Sequence, residues 1–231
     1  MNHRKNIISY WCTKNNTESY LELGLQDPNQ TFNHIPAKIK HSVDINDKFA
    51  TYNMSTDDFF KKLNNAELDL DPNYKWDLVF IDANHLADFV IRDIFNSLNH
   101  LSDKGIIFLH DILPQNYSDQ TELGYNQTAW KVVPYILKNH PELHICTFLK
   151  EYDQMGVIIR NPLNNRRVVL EQNFNQFYEY YIMNNDRETS QNQIKYEELE
   201  KWMDNPYYQF KEQNILSHIN IYKDIIMNKM M

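Results

Sequence analysis

Four apolar segments of this sequence end in side chains that can do chemistry. The segments are SYLELGL, KHSVDIN, KWDLVFID and IIFLHD, and their ends carry Glu22, Gly24, Asp44, Asp82, His110 and Asp111. Ligands of open α/β sheets bind outside the carboxyl ends of the strands. If the four segments are parallel strands, these residues face one crevice, where carboxylates and imidazoles can bind hydroxyl groups or move protons.

Two of these residues suggest a nucleotide-like ligand. Gly24 lets the backbone pass close to a bound molecule, and Asp44, at the end of the second segment, can accept hydrogen bonds from both hydroxyls of a ribose. The alternative is that such polar residues only cap strands and helices, as loop carboxylates often do. Their joint placement at strand ends favours the binding site.

The pattern between these ends predicts an α/β fold. Residues 78–81 form a continuous apolar run, as expected for a strand covered on both faces. Ser55 or Thr56 can cap a helix, and apolar residues repeat at helical spacing over 86–101, with Lys104-Gly105 ending that helix. The alternation of strands and helices is typical of a doubly wound, mostly parallel sheet.

The segments outside this pattern suggest three parts. We predict an N-terminal arm or short helix over residues 1–18, the α/β domain over 19–162 and a helical C-terminal extension over 163–231. Amphipathic stretches in the extension lie at 174–183, 196–203 and 215–227. Its aromatic residues are compatible with a homodimer.

Composition limits the partners. The formal net charge of −8 argues against nucleic acid as the main partner. The two cysteines form no metal motif or disulfide framework, and we find no signal peptide and no apolar run long enough to span a membrane. We therefore expect a cytoplasmic protein with no membrane or nucleic-acid partner, and small polar or uncharged molecules remain open as substrates.

The same segments carry a family resemblance. In order, YLELGLQDPNQTFNHI, HSVDIN, MSTDDFF, DLVFIDANHLADFVIRDI, GIIFLHD and NQTAWKVV resemble a bacterial and viral group of class I methyltransferases that use S-adenosylmethionine (SAM). The resemblance spans roughly residues 19–160. It implies a Rossmann-like sheet of seven strands, with the ribose of SAM on Asp44 and the adenine near residues 54–57. The implied cofactor-binding residues are Glu22, Gly24, Asp44, Met54, Ser55 and Asp82.

A narrower resemblance concerns the catalytic residues. Asp82-Ala83-Asn84-His85 followed by His110-Asp111 is similar to a pattern of metal-dependent sugar O-methyltransferases. It implies that His85 is the general base and that Asp82 and Asp111 hold a divalent ion such as Mg²⁺. His110 stands where that group has an acid and is the third candidate ligand.

The sequence thus predicts a SAM-dependent methyltransferase that acts on a hydroxyl of a sugar or glycan precursor. Three alternatives remain: an N-methyltransferase, a non-catalytic Rossmann-like binding or scaffold protein, and a nicotinamide-dependent oxidoreductase. The missing GxGxxG motif disfavours the oxidoreductase. A purely structural role also remains open for two residues, with His85 capping a helix and His110 bonding a neighbouring loop.

Overall fold

A computed structural model gives the architecture of most of the chain. It describes residues 3–46, 48–113, 124, 126–148, 153–161 and 193–194. The C-terminal extension predicted from residue 163 lies outside these residues, except for two of them. The domain boundaries after residues 18 and 162 therefore stay predictions.

The described strands form one mixed sheet. They are β1 (Ser19–Leu23), β2 (Ile39–Asp44), β3 (Tyr52–Asn53), β4 (Trp76–Ile81), β5 (Leu101–Leu109), β6 (Leu143–Phe148), β7 (Gly156–Arg160) and β8 (Gln193–Ile194). Their order is β3-β2-β1-β4-β5-β7-β6-β8. The pairs from β3 to β5 are parallel, whereas β7 runs antiparallel to both of its neighbours. The predicted α/β class is confirmed. The described sheet has eight strands where seven were predicted, and two of the eight, β3 and β8, are only two residues long.

Four α-helices are described: α1 (Arg4–Lys14), α2 (Thr56–Asn64), α3 (Ala87–Asn99) and α4 (Val132–Asn139). Short 3-10 helices cover Phe32–His34 and Ala129–Lys131. Pro134 is tolerated in α4 because it lies in the first turn, where its missing N–H would have no partner in the helix. No described helix is long and apolar enough to cross a membrane.

The core lies on both faces of the sheet because side chains alternate along each strand. Leu21 and Leu23 of β1 face one cluster, into which α2, α3 and α4 pack. Tyr20 faces the other cluster, where Ile8 and Trp11 of α1 meet the sheet. The predicted N-terminal segment is therefore a helix packed on the core, and its first turn lies close to the strand ends discussed below.

One element differs from the sequence pattern. The helix predicted over 86–101 ends at Asn99, and Leu101 already pairs with Trp76 at the start of β5. The register then shifts, so that Leu78 pairs with Ile106. Lys104 and Gly105, expected to end the helix, lie inside the strand. Helical spacing cannot detect this, because an apolar residue such as Leu101 fits a helical stripe and a strand equally well.

A buried acid between the helices gives a first testable prediction. Both carboxylate oxygens of Asp93 on α3 are buried, and no described residue donates a hydrogen bond to them with good geometry. Burial raises the pKa of Asp93 to about 7. The folded state binds the proton more tightly than the unfolded state, so stability falls as pH rises from about 4 to 7. Against the ordinary 3.8, this shift corresponds to up to roughly 4 kcal/mol.

Replacing Asp93 with asparagine should therefore flatten the pH dependence of stability. We expect the free energy of unfolding of wild type to fall by about 2 to 3 kcal/mol between pH 5 and pH 8 through this acid, and Asp93→Asn to remove this fall, because the amide never ionises. Urea unfolding at both pH values measures this. Asp88→Asn changes a largely exposed carboxylate of the same helix and should leave the slope intact. Equal pH slopes for wild type and Asp93→Asn would show that the acid is not the cause.

Candidate active site

A crevice of about 1200 Å³ opens at the carboxyl ends of the parallel strands. Backbone hydrogen bonds align these ends: the Gly24 N–H donates to Val43, Asp82 donates to Leu23, and His110 donates to Ile81. Eight of the nine predicted site residues line the crevice: Gly24, Asp44, Met54, Ser55, Asp82, His85, His110 and Asp111. The sheet thus brings together residues that are up to 87 positions apart in the sequence (24 to 111).

Gly24 forms the floor of the crevice. Its φ is +88°, and a Cβ atom added there would lie 2.2 Å from the backbone oxygen of Asp82 and 2.6 Å from Cα of Ala83. These neighbours are backbone atoms that cannot move aside without displacing the end of β4. Glycine is therefore required both for the conformation and for the close approach of the two loops.

One wall is built from the end of β2 and the start of α2. The Asp44 carboxylate accepts the N–H of Gln26 at 2.8 Å and that of Asn46 at 2.7 Å, which fixes its orientation at the crevice. Ser55 is the N-cap of α2, and its hydroxyl accepts the N–H of Asp58. Met54 is half-buried against the core. This wall combines a fixed carboxylate with an apolar and a polar side chain.

Glu22 differs from the other predicted cofactor-binding residues. It is buried, does not line the crevice, and accepts a 2.6 Å hydrogen bond from the Tyr20 hydroxyl. Because residues alternate along β1, Glu22 shares the face of Tyr20, beneath the crevice. Burial raises the pKa of Glu22 to about 8, although the Tyr20 hydroxyl opposes this. In this structure Glu22 supports the floor from below and is not placed to touch a ligand in the crevice.

The ends of β4 and β5 hold a cluster of two carboxylates and an imidazole. Nε2 of His85 lies 3.4 Å from Oδ1 of Asp82 and 3.4 Å from Oδ2 of Asp111. One ligand atom from each of these residues lies within 4.8 Å of the other two, so they can share one cation. Asp111 adopts a φ of +54°, an uncommon conformation for a residue with a side chain.

His110 lies beside this group. Its Nδ1 is 3.1 Å from Asp82 and 3.2 Å from Asp111, and its ring is nearly fully buried. Burial alone would lower the pKa of His110, but the carboxylates of Asp82, Asp111 and Asp153 outweigh it and raise the pKa. Burial likewise opposes ionisation of Asp82, but His110, His85 and Arg4 hold the pKa of Asp82 well below its usual range. His110 therefore acts here as a partner of the two carboxylates.

A family model described as a methyltransferase domain matches residues 9–112, which include every residue of this cluster. This segment is similar to a methyltransferase domain. The matched residues run from within α1 to just beyond the end of β5, so they contain the parallel strands β1 to β5. No curated protein sequence matches the chain.

Solved structures agree on the fold. The O-methyltransferase from Bacillus cereus, crystallised with S-adenosylhomocysteine (SAH), is 11% identical with a TM-score of 0.54, over 68% of this chain and 80% of that one. The O-methyltransferase TomG from Streptomyces achromogenes, in complex with SAM, is 11% identical with a TM-score of 0.51, over 68% and 79%. At such identities the likeness shows the Rossmann-like fold of O-methyltransferases. This likeness confirms the predicted fold, and the match of residues 9–112 to a methyltransferase domain supports the predicted family.

Residues beyond the parallel strands support the cluster of the methyltransferase domain. The buried Asn126 side chain donates through Nδ2 to the backbone and carboxylate oxygens of Asp111 and to Gln154. The Thr128 hydroxyl accepts the N–H of Ala87 at the start of α3, and the Thr128 N–H donates to the backbone oxygen of His85. These contacts fix the loops that carry His85 and Asp111.

Sequence reasoning missed two residues outside the matched segment, Arg4 and Asp153, that contact the group of side chains around His110. The Arg4 guanidinium lies 3.1 Å from Nε2 of His110 and 3.8 Å from Asp82. Asp153, in the turn between β6 and β7, accepts the backbone N–H of Arg4 at 2.8 Å and lies 3.7 Å from His110. Neither residue follows a strand of the parallel sheet. The only available signal was the presence of a cation and an acid in otherwise polar segments, which is too common to be specific.

Proposed function

We propose that this protein transfers the methyl group of SAM to a hydroxyl of a small acceptor, a sugar or glycan precursor. The observation that carries the proposal is the histidine held between two carboxylates at the edge of a crevice that also contains Asp44. Methyl transfer is an in-line displacement, so the acceptor oxygen must be held on the far side of the methyl group and lose its proton. The crevice offers a base at one end and a fixed carboxylate at the other.

His85 is the proposed base. A hydroxyl that attacks the methyl group becomes acidic in the transition state, and an imidazole with a pKa near neutrality can accept its proton. The carboxylates of Asp82 and Asp111, each 3.4 Å from Nε2, stabilise the imidazolium that results. The contact of the His85 backbone with Thr128 keeps the ring at the crevice.

The cofactor is assigned to the opposite wall. Asp44 accepts the ribose hydroxyls, Gly24 allows the backbone to approach the ligand, and Met54 and Ser55 lie at the adenine. The Bacillus cereus and Streptomyces achromogenes proteins, crystallised with SAH and SAM, support this choice of cofactor. Asp82 borders both this region and the proposed base, as expected for a residue close to the reacting methyl group.

The cluster also fits a divalent cation. Two carboxylates suit Mg²⁺, and the added imidazole suits Mn²⁺ as well. Asp82, Asp111 and His85 would hold the ion, whereas His110 lies outside this group of three. A bound cation supplies positive charge that lowers the pKa of an acceptor hydroxyl. The ligand role and the base role of His85 exclude each other at any one ring nitrogen, because both use the same lone pair.

A thermal-shift titration tests the cation site. Because a ligand that binds only the folded state stabilises it, Mg²⁺ or Mn²⁺ at about 100 times its Kd should raise Tm by roughly 5 °C. Asp82→Asn should remove this shift. Asp88→Asn, a change of equal charge at an exposed carboxylate outside the crevice, should keep it. An equal shift in all three proteins would assign the cation to another place.

Product analysis tests the reaction itself. The protein is incubated with SAM and a panel of sugars, each paired with its amino-sugar counterpart, and SAH release is followed. We expect release with the hydroxyl acceptors and a mass gain of one methyl group that fragmentation assigns to oxygen. Methylation confined to the amino sugars at nitrogen would replace the proposed O-methyl transfer by N-methyl transfer.

A further inference from the structure

The first turn of α1 brings a guanidinium into the crevice. The Arg4 side chain is 13% exposed and lines the cavity together with Gly24 and Asp82. Its Nε donates to the Thr31 hydroxyl at 3.3 Å, one terminal nitrogen donates to Gln30, and the other contacts Nε2 of His110. The loop after β1 and the end of β5 thus hold the guanidinium in one orientation.

The charges in the crevice make this cation unusual. Among the described residues that line it are the carboxylates of Asp27, Asp44, Asp57, Asp82 and Asp111, but only two residues with a permanent positive charge, Arg4 and Lys48. The Asp82 oxygen nearest to Arg4 is 3.8 Å away, which is too long for a hydrogen bond. A guanidinium has five N–H groups, of which two donate to Thr31 and Gln30 while a third faces Nε2 of His110. Within the described part of the chain, donors on both terminal nitrogens remain for a further acceptor.

The covalent structure of SAM indicates what that acceptor is. Its sulfur carries the methyl group, the ribosyl group and an amino-acid chain that ends in a carboxylate. If the ribose binds Asp44 and the methyl group points toward His85, the third substituent is left with the part of the crevice around Asp82, which lies beside both Gly24 and Arg4. Arg4 borders this part of the crevice, whereas Lys48 follows β2 and belongs to the ribose side.

We propose that Arg4 binds the carboxylate of the amino-acid part of the cofactor, which makes α1 a part of the cofactor site. The inference rests on the proposed function. Arginine suits this role because its planar, oriented fork pairs with a carboxylate through two parallel hydrogen bonds. Gln30 and Thr31 hold the fork in place before the ligand arrives, which reduces the entropy lost on binding.

The test compares ligands that differ in this carboxylate. Calorimetry with the full chain measures Kd for SAH, for its decarboxylated analogue, which keeps the amine, and for 5′-methylthioadenosine, which lacks the whole amino-acid group. Wild type should prefer SAH to the decarboxylated analogue by roughly ten- to a hundredfold. Arg4→Gln should weaken SAH by a similar factor and change the Kd of the analogue by less than about threefold. Lys5→Gln, a neighbouring loss of one charge outside the crevice, should keep the wild-type preference.

Each result decides the inference. Equal affinity of wild type for SAH and its decarboxylated analogue would overturn it, and so would an equal loss for both ligands in Arg4→Gln, which would mean that Arg4 only shapes the site. Arg4→Lys, which keeps the charge without the fork, should retain part of the preference and covers the case in which Arg4→Gln does not fold. Failure of folded wild type to bind any of the three ligands would contradict the proposed function itself.

Discussion

Replacing Gly24 with alanine is expected to abolish SAH binding and to lower the free energy of unfolding by about 3 kcal/mol. The residue has a φ of +88°, and an added Cβ would lie 2.2 Å from the backbone oxygen of Asp82. The change therefore combines an unfavourable backbone conformation with a clash that the end of β4 must relieve by moving. Since Asp82 and His85 follow β4, this movement displaces the site as well. Urea unfolding and calorimetric titration with SAH measure the two effects.

Gly105→Ala is the matched control for this variant. Its added Cβ would meet mainly the side chain of Leu101, at 2.5 Å, which has more freedom to shift than backbone has. Gly105 lies in β5 and does not line the crevice. We expect this variant to lose stability while it keeps its affinity for SAH. Wild-type affinity in folded Gly24→Ala would contradict the assigned position of the cofactor.

The second large effect is expected at His85. Glutamine in its place keeps the hydrogen-bonding capacity but cannot take a proton at neutral pH, so kcat should fall by roughly 10²- to 10⁴-fold. The Kd for SAH should change little, because His85 lies beyond the ribose wall. Initial rates with an acceptor identified by product analysis, together with calorimetry, separate the two quantities. His34→Gln alters an exposed ring that does not line the crevice and should leave kcat unchanged.

The same variant distinguishes the two roles of His85. If the ring acts only as a base, His85→Gln loses turnover but keeps most of the cation-induced rise in Tm. If the ring is mainly a ligand, both are lost together. Full turnover in His85→Gln would exclude either role in catalysis.

Much of the crevice could be predicted because a parallel sheet gathers its strand ends. The apolar character of four segments was enough to recognise them as strands. The rule that ligands bind outside the carboxyl ends of strands then placed the residues at their ends, Gly24, Asp44, Asp82 and Asp111, in one site. The structure confirms that these four residues border one cavity. The strand positions were recognisable because buried parallel strands are continuously apolar, a pattern that survives without homologous sequences.

Other features depend on contacts that a local pattern does not contain. Glu22 lies in β1, the strand that Gly24 follows. The alternation of side chains along this strand turns Glu22 toward Tyr20 and away from the crevice. Arg4 reaches the site only because α1 packs across the sheet, and it meets Asp153, which lies 149 residues further along the chain. Leu101 fits the stripe of α3, yet its pairing with Trp76 places it in β5. In each case tertiary packing decides between local alternatives that are almost equal in energy.

The most direct test of the account is a calorimetric titration of wild type and Asp44→Asn with SAH. The carboxylate of Asp44 is fixed at the crevice by the N–H groups of Gln26 and Asn46, so it is poised to accept the ribose hydroxyls. We predict micromolar binding by wild type and a Kd at least about tenfold higher for the variant, since a charged acceptor is replaced by a neutral amide. No binding by folded wild type, or equal affinity of the two proteins, would contradict a cofactor site in this crevice.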